Sequence, residues 1–210
     1  MAQDERVLSD RDLVDRARAG DRAAFGELVR RYGPRVRNLA RQLVRGHADA
    51  DDVAQEAFVR AQHALARFDG RSEFFTWIYR ITVNLSLNRA RSLAVRRHVD
   101  IDDAGLEGAL VERPGGPTDA GRVIDRQRVA RALLDELDAL SEGLRATLLL
   151  VCVDGVAQEE AAEILGCSPG TVAWRVHEAR KRLREGLRGR GLEDVVDELG
   201  GDRGKRGGGR

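Results

Sequence analysis

Apolar residues recur every three or four positions through most of the chain, which is the period of an α-helix. Clear examples run from Leu13 to Val29 and from Val36 to Val44. Gly20 and the Gly33-Pro34 pair interrupt this pattern, so it predicts separate helices on either side of each break. Ser9 is a candidate N-cap for the first helix. The pattern as a whole predicts an all-α protein.

A second apolar pattern occupies residues 74–91, where rings and long side chains crowd into the first turns of a predicted helix. The face expected in the core comprises Phe74, Trp77, Ile78 and Ile81. The side chains left for a partner are Phe75, Thr76, Tyr79, Arg80, Asn84 and Asn88. Exposed aromatic side chains beside arginine are typical of surfaces that hold unstacked bases.

Residues 156–185 carry the most informative pattern. A short amphipathic helix ends at Gly166, which suits a left-handed turn, and Ser168 and Pro169 follow as N-cap and first residue of a second helix. The second helix has one apolar stripe, formed by Val172, Val176, Ala179 and Leu183. Two helices joined by such a turn form the helix-turn-helix pattern, whose second helix enters the DNA major groove. An ordinary helical hairpin is the structural alternative.

Charge favours DNA binding over the ordinary hairpin. Residues 170–190 hold seven Lys or Arg against two Glu, whereas residues 154–163 hold four acids and no base. Phosphate contact requires such a basic helix. The residues expected on its DNA-facing side, with the turn before it, are Ser168, Gly170, Thr171, Ala173, Trp174, Arg175, His177, Glu178, Lys181 and Arg182.

The helical period is lost between residues 92 and 121, where acids precede the sequence Pro-Gly-Gly-Pro. This composition predicts a flexible linker. It divides the chain into two small helical domains, residues 1–91 and 122–188, the second of which contains the helix-turn-helix. Residues 189–210 are rich in Gly and Arg and are expected to form a disordered basic tail.

Composition narrows the class of protein. The net charge is only +1 because acids and bases lie in different segments and cancel in the total. Cys152 and Cys167 lack a CxxC pair or a nearby His, so both are expected to be reduced and buried, and no metal site is expected. No catalytic or cofactor motif occurs, which indicates a binding protein without catalytic residues or cofactors. The charged N-terminus and the lack of a long apolar run predict a soluble, cytoplasmic protein.

Three stretches, in this order, carry a family resemblance: LVRRYGPRVRNLA, then DADDVAQEAFVRAQHALARFDGRSEFFTWIYRITVN, then SPGTVAWRVHEARKRLRE. They resemble the extracytoplasmic-function (ECF) group of bacterial RNA polymerase sigma factors, within the sigma-70 family. The resemblance spans residues 22–91 and 127–188. It implies a promoter-specificity subunit whose partners are core RNA polymerase, promoter DNA and, as is common in the group, an anti-sigma factor.

The resemblance also implies roles for particular residues. A helix would dock on the clamp helices of the largest polymerase subunit through Asp49, Asp51, Asp52, Gln55 and Glu56. The turn and helix after it would capture a flipped base of the minus-ten element and help to open the duplex, through Phe68, Asp69, Arg71, Ser72, Phe75, Thr76, Tyr79, Arg80, Asn84 and Asn88. The helix-turn-helix would read the minus-thirty-five element.

The sequence departs from the family pattern in places. Ser141 stands where the family usually has Pro, and Phe75 replaces a basic residue. Ala173, Trp174 and Glu178 occupy positions that commonly hold Lys or Arg, Ser, and Arg. Two basic contacts, each worth roughly 1 to 3 kcal/mol of base discrimination, are thereby lost, so the usual minus-thirty-five sequence is not expected. Trp174 has two interpretations, contact with thymine methyl groups or packing on a neighbouring helix.

Two other functions are also consistent with the sequence. One is a helix-turn-helix regulator that binds duplex DNA without core polymerase, and the other is a protein that sequesters polymerase or a regulator without reading DNA. The aromatic helix separates them, since only a strand-opening protein has reason to expose aromatic side chains beside a polar loop. The sigma-factor hypothesis therefore predicts a cleft at residues 68–74 and an exposed Tyr79.

Overall fold

The computed structural model describes residues 8–44, 47–99 and 120–192, and within these ranges every regular element is a helix, as predicted. A 3-10 turn (Leu65–Arg67) and a π-helical turn (Leu149–Val153) supplement the α-helices. The α-helices are α1 (Asp10–Arg18), α2 (Arg22–Leu43), α3 (His47–Ala64), α4 (Phe74–Val99), α5 (Ala120–Ala139), α6 (Glu142–Leu148), α7 (Gln158–Leu165) and α8 (Pro169–Gly189).

Local chemistry sets the first helix boundaries as predicted. The Ser9 side chain accepts a hydrogen bond from the Asp12 N–H at 3.2 Å, and the Asp12 carboxylate accepts one from the Ser9 N–H at 3.2 Å. These two bonds form a capping box. Gly20, at φ 95°, lies between α1 and α2. The Asp21 carboxylate then caps α2 by accepting hydrogen bonds from the N–H groups of Ala23 and Ala24.

The helix α2 corrects the prediction of a break at Gly33-Pro34, because it runs unbroken for 22 residues. A proline inside a helix removes one backbone hydrogen bond and costs about 3 kcal/mol. Leu28 before it and Val36 after it are both fully buried. Their burial fixes both halves of the helix on the same core, and this packing outweighs the local cost.

The helices α1 to α4 and residues 146–173 form one compact unit. Within it α2 packs against α1, α3 and α4, and α7 lies against α4. Arg80 Nε on α4 donates a 3.0 Å hydrogen bond to the backbone carbonyl of Glu163 on α7. The sequence assigns residues 146–173 to the predicted domain 122–188, and that boundary stays a prediction.

A second compact unit contains α5, the start of α6 and most of α8. Arg190 joins α8 to α5 through bonds of 3.0 Å to Asp135 and 2.7 Å to Glu136. Ala132 and Leu187 are buried between the same two helices. Apolar burial and ion pairs therefore both hold the C-terminal half of α8.

The two predicted polar segments, 92–121 and 189–210, lie only partly within the described residues. The helix α4 continues to Val99 and α5 begins at Ala120, so the predicted linker 92–121 is helical at both ends, and residues 100–119 lie outside the described residues. The predicted tail 189–210 is described only as far as residue 192.

The expectation that both cysteines are buried is wrong. Cys152 is exposed and Cys167 is half-buried, and neither forms a disulfide. The cause at Cys152 is the π-helical turn, in which the Asp154 N–H bonds to the Leu149 carbonyl at 3.0 Å, five residues back. The widened turn keeps Leu149 buried and directs Cys152 outward.

None of the helices in the described ranges combines the length and apolar character needed to span a membrane. The same residues contain no group of three or more His, Cys, Asp or Glu placed to hold a metal ion.

Candidate nucleic-acid interface

The turn between α7 and α8 has the geometry that the sequence predicts. Gly166 ends α7 with φ 64°, in the left-handed region. The Ser168 hydroxyl accepts a 3.1 Å hydrogen bond from the Thr171 N–H, and Pro169 is the first residue of α8. The N-terminus of α8 is thus fixed by a capping side chain rather than by a long loop.

The buried stripe of α8 determines which side chains remain accessible. Val172, Val176 and Ala179 are buried and Leu183 is half-buried. Of the residues predicted to face DNA, the exposed ones are Ser168, Gly170, Ala173, Trp174, His177, Lys181 and Arg182. The half-buried ones are Thr171, Arg175 and Glu178. We call these ten residues the reading face.

Two residues of the reading face settle points that the sequence leaves open. Trp174 is 61% exposed, so it does not pack on a neighbouring helix in the described structure. Glu178 accepts a 2.8 Å hydrogen bond from Arg182, and this bond keeps the pKa of its carboxyl below the usual value. Glu178 is therefore ionised at neutral pH, and one cation of the face is partly neutralised.

An aromatic cluster anchors the turn that precedes α4. The Phe68 ring lies 4.7 Å from Trp77 and 6.5 Å from Phe74, measured between centroids. Tyr32 of α2 packs 5.5 Å from Phe74. Phe68 and Phe74 are buried and Trp77 is half-buried. The cluster holds both ends of the 68–74 turn, while the residues between them reach solvent.

The expected exposure of Tyr79 and Thr76 is contradicted, because Tyr79 is 0% and Thr76 2% exposed. The Tyr79 ring lies 4.2 Å from Phe75, which is half-buried, and the Arg35 guanidinium lies 4.7 Å from the Phe75 centroid. Burial, and then the nearby Asp154 carboxylate, raise the pKa of the Tyr79 hydroxyl to about 12. The hydroxyl has no hydrogen-bond partner of good geometry among the described residues.

A groove remains beside the turn despite the burial of Tyr79. Its volume is about 470 Å³, and its lining comprises Arg67, Phe68, Asp69, Arg71, Ser72, Trp77, Arg80 and Glu163. Asp69 shapes the turn by accepting a 3.1 Å bond from the Arg71 N–H, and Gly70 has φ 70°. The sequence prediction included neither Arg67 nor Trp77 in this site. Asn84 and Asn88 lie further along α4 and are exposed, as predicted.

The acidic residues predicted on α3 fall into two groups. Asp49 is half-buried and bonds to Arg89 of α4, with Arg89 Nε at 2.8 Å, so it joins α3 to α4. Asp51, with Arg41 3.3 Å away, is half-buried. The exposed residues on this part of α3 are Asp52, Gln55, Glu56 and Val59, the last of which the sequence prediction missed.

Comparisons with known proteins agree with this arrangement. Residues 28–96 match the family model for sigma-70 region 2 and residues 130–183 that for sigma-70 region 4. The chain is 33% identical to the RNA polymerase sigma-H factor of Pseudomonas aeruginosa, over 85% of this chain and 93% of the relative. It is 35% identical to the ECF RNA polymerase sigma-E factor of Escherichia coli, over 84% of this chain and 93% of the relative.

The chain belongs to the ECF group of RNA polymerase sigma factors. A solved structure of the sigma factor RpoE in complex with the anti-sigma factor NepR, from Bartonella quintana, is also similar. It has a TM-score of 0.60 and 27% identity, and the match covers 78% of this chain and 96% of that one. Membership of the ECF group favours promoter recognition with core polymerase over a helix-turn-helix regulator that acts alone.

Within the ECF sigma factor, the residues that line the groove beside α4 lie in the region-two match except for Glu163, which lies in the region-four match, where α8 also begins. The two candidate DNA surfaces therefore fall in the two matched regions of the family.

Proposed function

We propose that this sigma factor docks on core RNA polymerase through α3, holds an unstacked minus-ten base in the groove beside residues 68–73, and reads the minus-thirty-five element with α8. The observation that carries the proposal is α8 itself. It is a capped helix after a tight turn, its apolar stripe is buried, and its exposed side carries Lys181 and Arg182. This is the geometry with which a recognition helix enters the major groove.

The groove supplies the two kinds of contact that an unstacked nucleotide needs. Arg67, Arg71 and Arg80 are exposed at its rim and suit phosphate oxygens. Trp77 is half-buried and offers a ring on which a base can stack. Since Tyr79 is buried, its role in this proposal is to support α4 from within the core. Stacking of this kind offsets the few kcal/mol that extrusion of a base costs.

The exposed face of α3 is the proposed polymerase-docking surface. Asp51, Asp52, Gln55 and Glu56 would contact polymerase, while Asp49 would hold α3 against α4 through Arg89. Arg37 and Arg41 lie 3.4 and 3.3 Å from Asp51 and orient its carboxylate.

An anti-sigma factor is the further partner that we propose. The similar Bartonella quintana sigma factor was solved with such a protein bound. In a competition assay, a candidate anti-sigma factor at stoichiometric concentration should displace core polymerase from this chain. A candidate that displaces neither polymerase nor promoter DNA is excluded as the partner.

Run-off transcription tests the proposed function directly. Core polymerase from the host is incubated with and without this chain on a library of host genomic fragments. We expect new transcripts that start at discrete positions only when the chain is present. If core alone and core with the chain initiate alike on every fragment, the proposal fails. Binding of the chain alone, without core, to the same fragments is the control, because an independent regulator would bind the duplex without polymerase.

A further inference from the structure

Trp174 is the one large aromatic side chain on the reading face. It is 61% exposed, whereas Phe25, Phe58, Phe68, Phe74 and Tyr79 are all buried. None of the ring pairs among the described residues includes Trp174. A large exposed apolar side chain of this kind marks a contact surface more often than a structural one.

The position of Trp174 on α8 indicates what it meets. The residues of a recognition helix that contact base edges lie near its N-terminus, and Trp174 is in the second turn from Pro169. It lies 200° around the helix from the buried Val172 at 100° per residue. It therefore projects from the side opposite to the core.

Charge on the same helix identifies the occupant as nucleic acid. Between residues 170 and 190, basic side chains outnumber acidic ones seven to two. Lys181 and Arg182 are exposed on the reading face itself, both about two turns beyond Trp174. A polyanion that covers these cations would also cover the indole.

The neighbours of Trp174 restrict which base it can read. Arg–guanine pairing through N7 and O6 is the commonest specific contact in the major groove. Ala173 and Glu178, directly before and one turn after Trp174, carry no side-chain donor that could make this contact. The one apolar feature of the major groove is the C5-methyl group of thymine. The apolar ring of an indole suits that methyl group, and its single N–H can donate to the O4 acceptor of the same thymine.

We propose that Trp174 is the specificity-determining residue of α8 and selects thymine in the upstream promoter element by contact with its C5-methyl group. The inference rests on the proposed function of α8 as the helix that reads this element.

Uracil interference tests the contact with the methyl group of each thymine in turn. A promoter found by run-off transcription is prepared with thymines of its upstream element partly replaced by deoxyuridine, which lacks only the methyl group. Holoenzyme-bound and free DNA are separated, and the uracil content of each position is compared. We expect at least one upstream thymine at which uracil weakens binding about four-fold, the effect of losing one buried methyl group.

Two variants assign that effect to Trp174. Holoenzyme with Trp174→Ala should bind thymine and uracil promoters equally. Leu134→Ala is the matched control, because Leu134 is also a large exposed apolar residue, at 54%, but lies on α5. Its uracil interference should equal that of the wild type.

Three results would overturn the inference. They are uracil interference that is unchanged in Trp174→Ala, a wild-type holoenzyme that is insensitive to uracil throughout the upstream element, and an effect of Trp174→Ala confined to binding of a protein partner. Each of them leaves run-off transcription by the wild type intact. Failure of the proposed function would instead abolish the run-off products.

Discussion

The helices α4 and α8 both place an aromatic side chain beside arginine on a surface predicted to face DNA, yet the structure treats them in opposite ways. Tyr79 of α4 is completely buried, and Trp174 of α8 is largely exposed. The same pair of residue types therefore supports the core in one helix and remains available to a partner in the other. An aromatic side chain beside arginine identifies a candidate surface, but the packing around the helix decides whether the ring is accessible.

The number of packed faces explains the difference. The helix α4 contacts α1, α2, α3 and α7, so its buried side chains extend around most of its circumference, from Phe74 and Thr76 to Ile78 and Tyr79. The helix α8 buries a single stripe that includes Val172 and Val176. Helical periodicity distinguishes the inside from the outside of a helix only when one face is buried.

Replacing each ring by alanine should give the largest difference in stability between variants of α4 and of α8. Tyr79→Ala leaves a cavity in the core and should lower the free energy of unfolding by about 3 to 5 kcal/mol. Trp174→Ala removes a ring from the surface and should change it by less than about 0.5 kcal/mol. Chemical denaturation followed by circular dichroism measures both. Equal losses of stability in the two variants would contradict the comparison.

The tyrosine hydroxyl gives a control for this experiment. It is buried without a hydrogen-bond partner of good geometry. Tyr79→Phe should therefore cost far less stability than Tyr79→Ala, since it keeps the ring and removes only a hydroxyl whose approach to Asp154 and Arg35 lacks good hydrogen-bond geometry. A large loss in Tyr79→Phe would show that the hydroxyl, and not ring packing, stabilises α4.

The acids of α3 extend the comparison from rings to charges. Changing both Asp51 and Asp52 to Lys should weaken binding to core polymerase on the order of 100-fold, because like charges placed opposite each other in an interface cost several kcal/mol. Asp52 is exposed and Asp51 is half-buried beside Arg37 and Arg41, so helical content, which should not change, is measured as the control for the fold. Co-purification with core polymerase measures the loss, and undiminished binding would refute the docking assignment.

Asp49 provides the matched control for the change of Asp51 and Asp52. It is half-buried and bonds to Arg89, so Asp49→Ala should lower stability rather than act directly at the polymerase surface. If Asp49→Ala instead leaves stability unchanged and abolishes polymerase binding, the division of α3 into a structural acid and docking acids is wrong.

The sequence predicts those features that depend on neighbouring residues. The Ser9 cap, the left-handed Gly166, the Ser168 cap and the outward direction of Trp174 all follow from local chemistry, and the structure confirms each of them. They were predictable because caps and helical periods act over a few positions.

The features that the sequence missed depend on residues far apart in the chain. The continuation of α2 through Pro34 requires packing on other helices, and the bond between Asp49 and Arg89 spans 40 residues. Tyr79 is buried with Asp154 nearby, which no local pattern around α4 indicates. The packing around α4 determines whether a groove lies beside residues 68–73, and no local pattern gives that packing.

The arginine at the groove provides a test of smaller expected effect. Arg71 has an 89% exposed side chain, and it forms an ion pair with Asp69 within the same turn, at 3.1 Å. Arg71→Ala should keep the fold, reduce open-complex formation several-fold and lower the salt dependence of promoter binding by about one phosphate contact. Permanganate reactivity of unpaired thymines and binding at several salt concentrations measure these changes. An unchanged salt dependence would remove Arg71 from the DNA surface.

The smallest expected effect concerns the carboxyl group beside the buried tyrosine. Burial raises the pKa of Asp154 above its usual value, opposed by the Tyr79 hydroxyl and the charge of Arg35. The folded state therefore favours the protonated form, and the contribution of this group to stability is lost as pH rises through its folded pKa. Asp154→Asn mimics the protonated form and should be more stable than the wild type at pH 7, by at most about 1 kcal/mol because solvent screens the half-exposed group.

The pH dependence of this difference separates the Asp154 effect from the other carboxylates. Glu27, for example, has a pKa lowered to about 2 by hydrogen bonds from Arg30 and Arg31, so its contribution is present above the unfolded value and lost in acid. That contribution is the same in wild type and variant and cancels in the difference. The advantage of Asp154→Asn should shrink as pH falls below the folded pKa of Asp154. An advantage that is constant from pH 7 to pH 3 would mean that the amide acts through a new hydrogen bond instead of through removal of a buried charge.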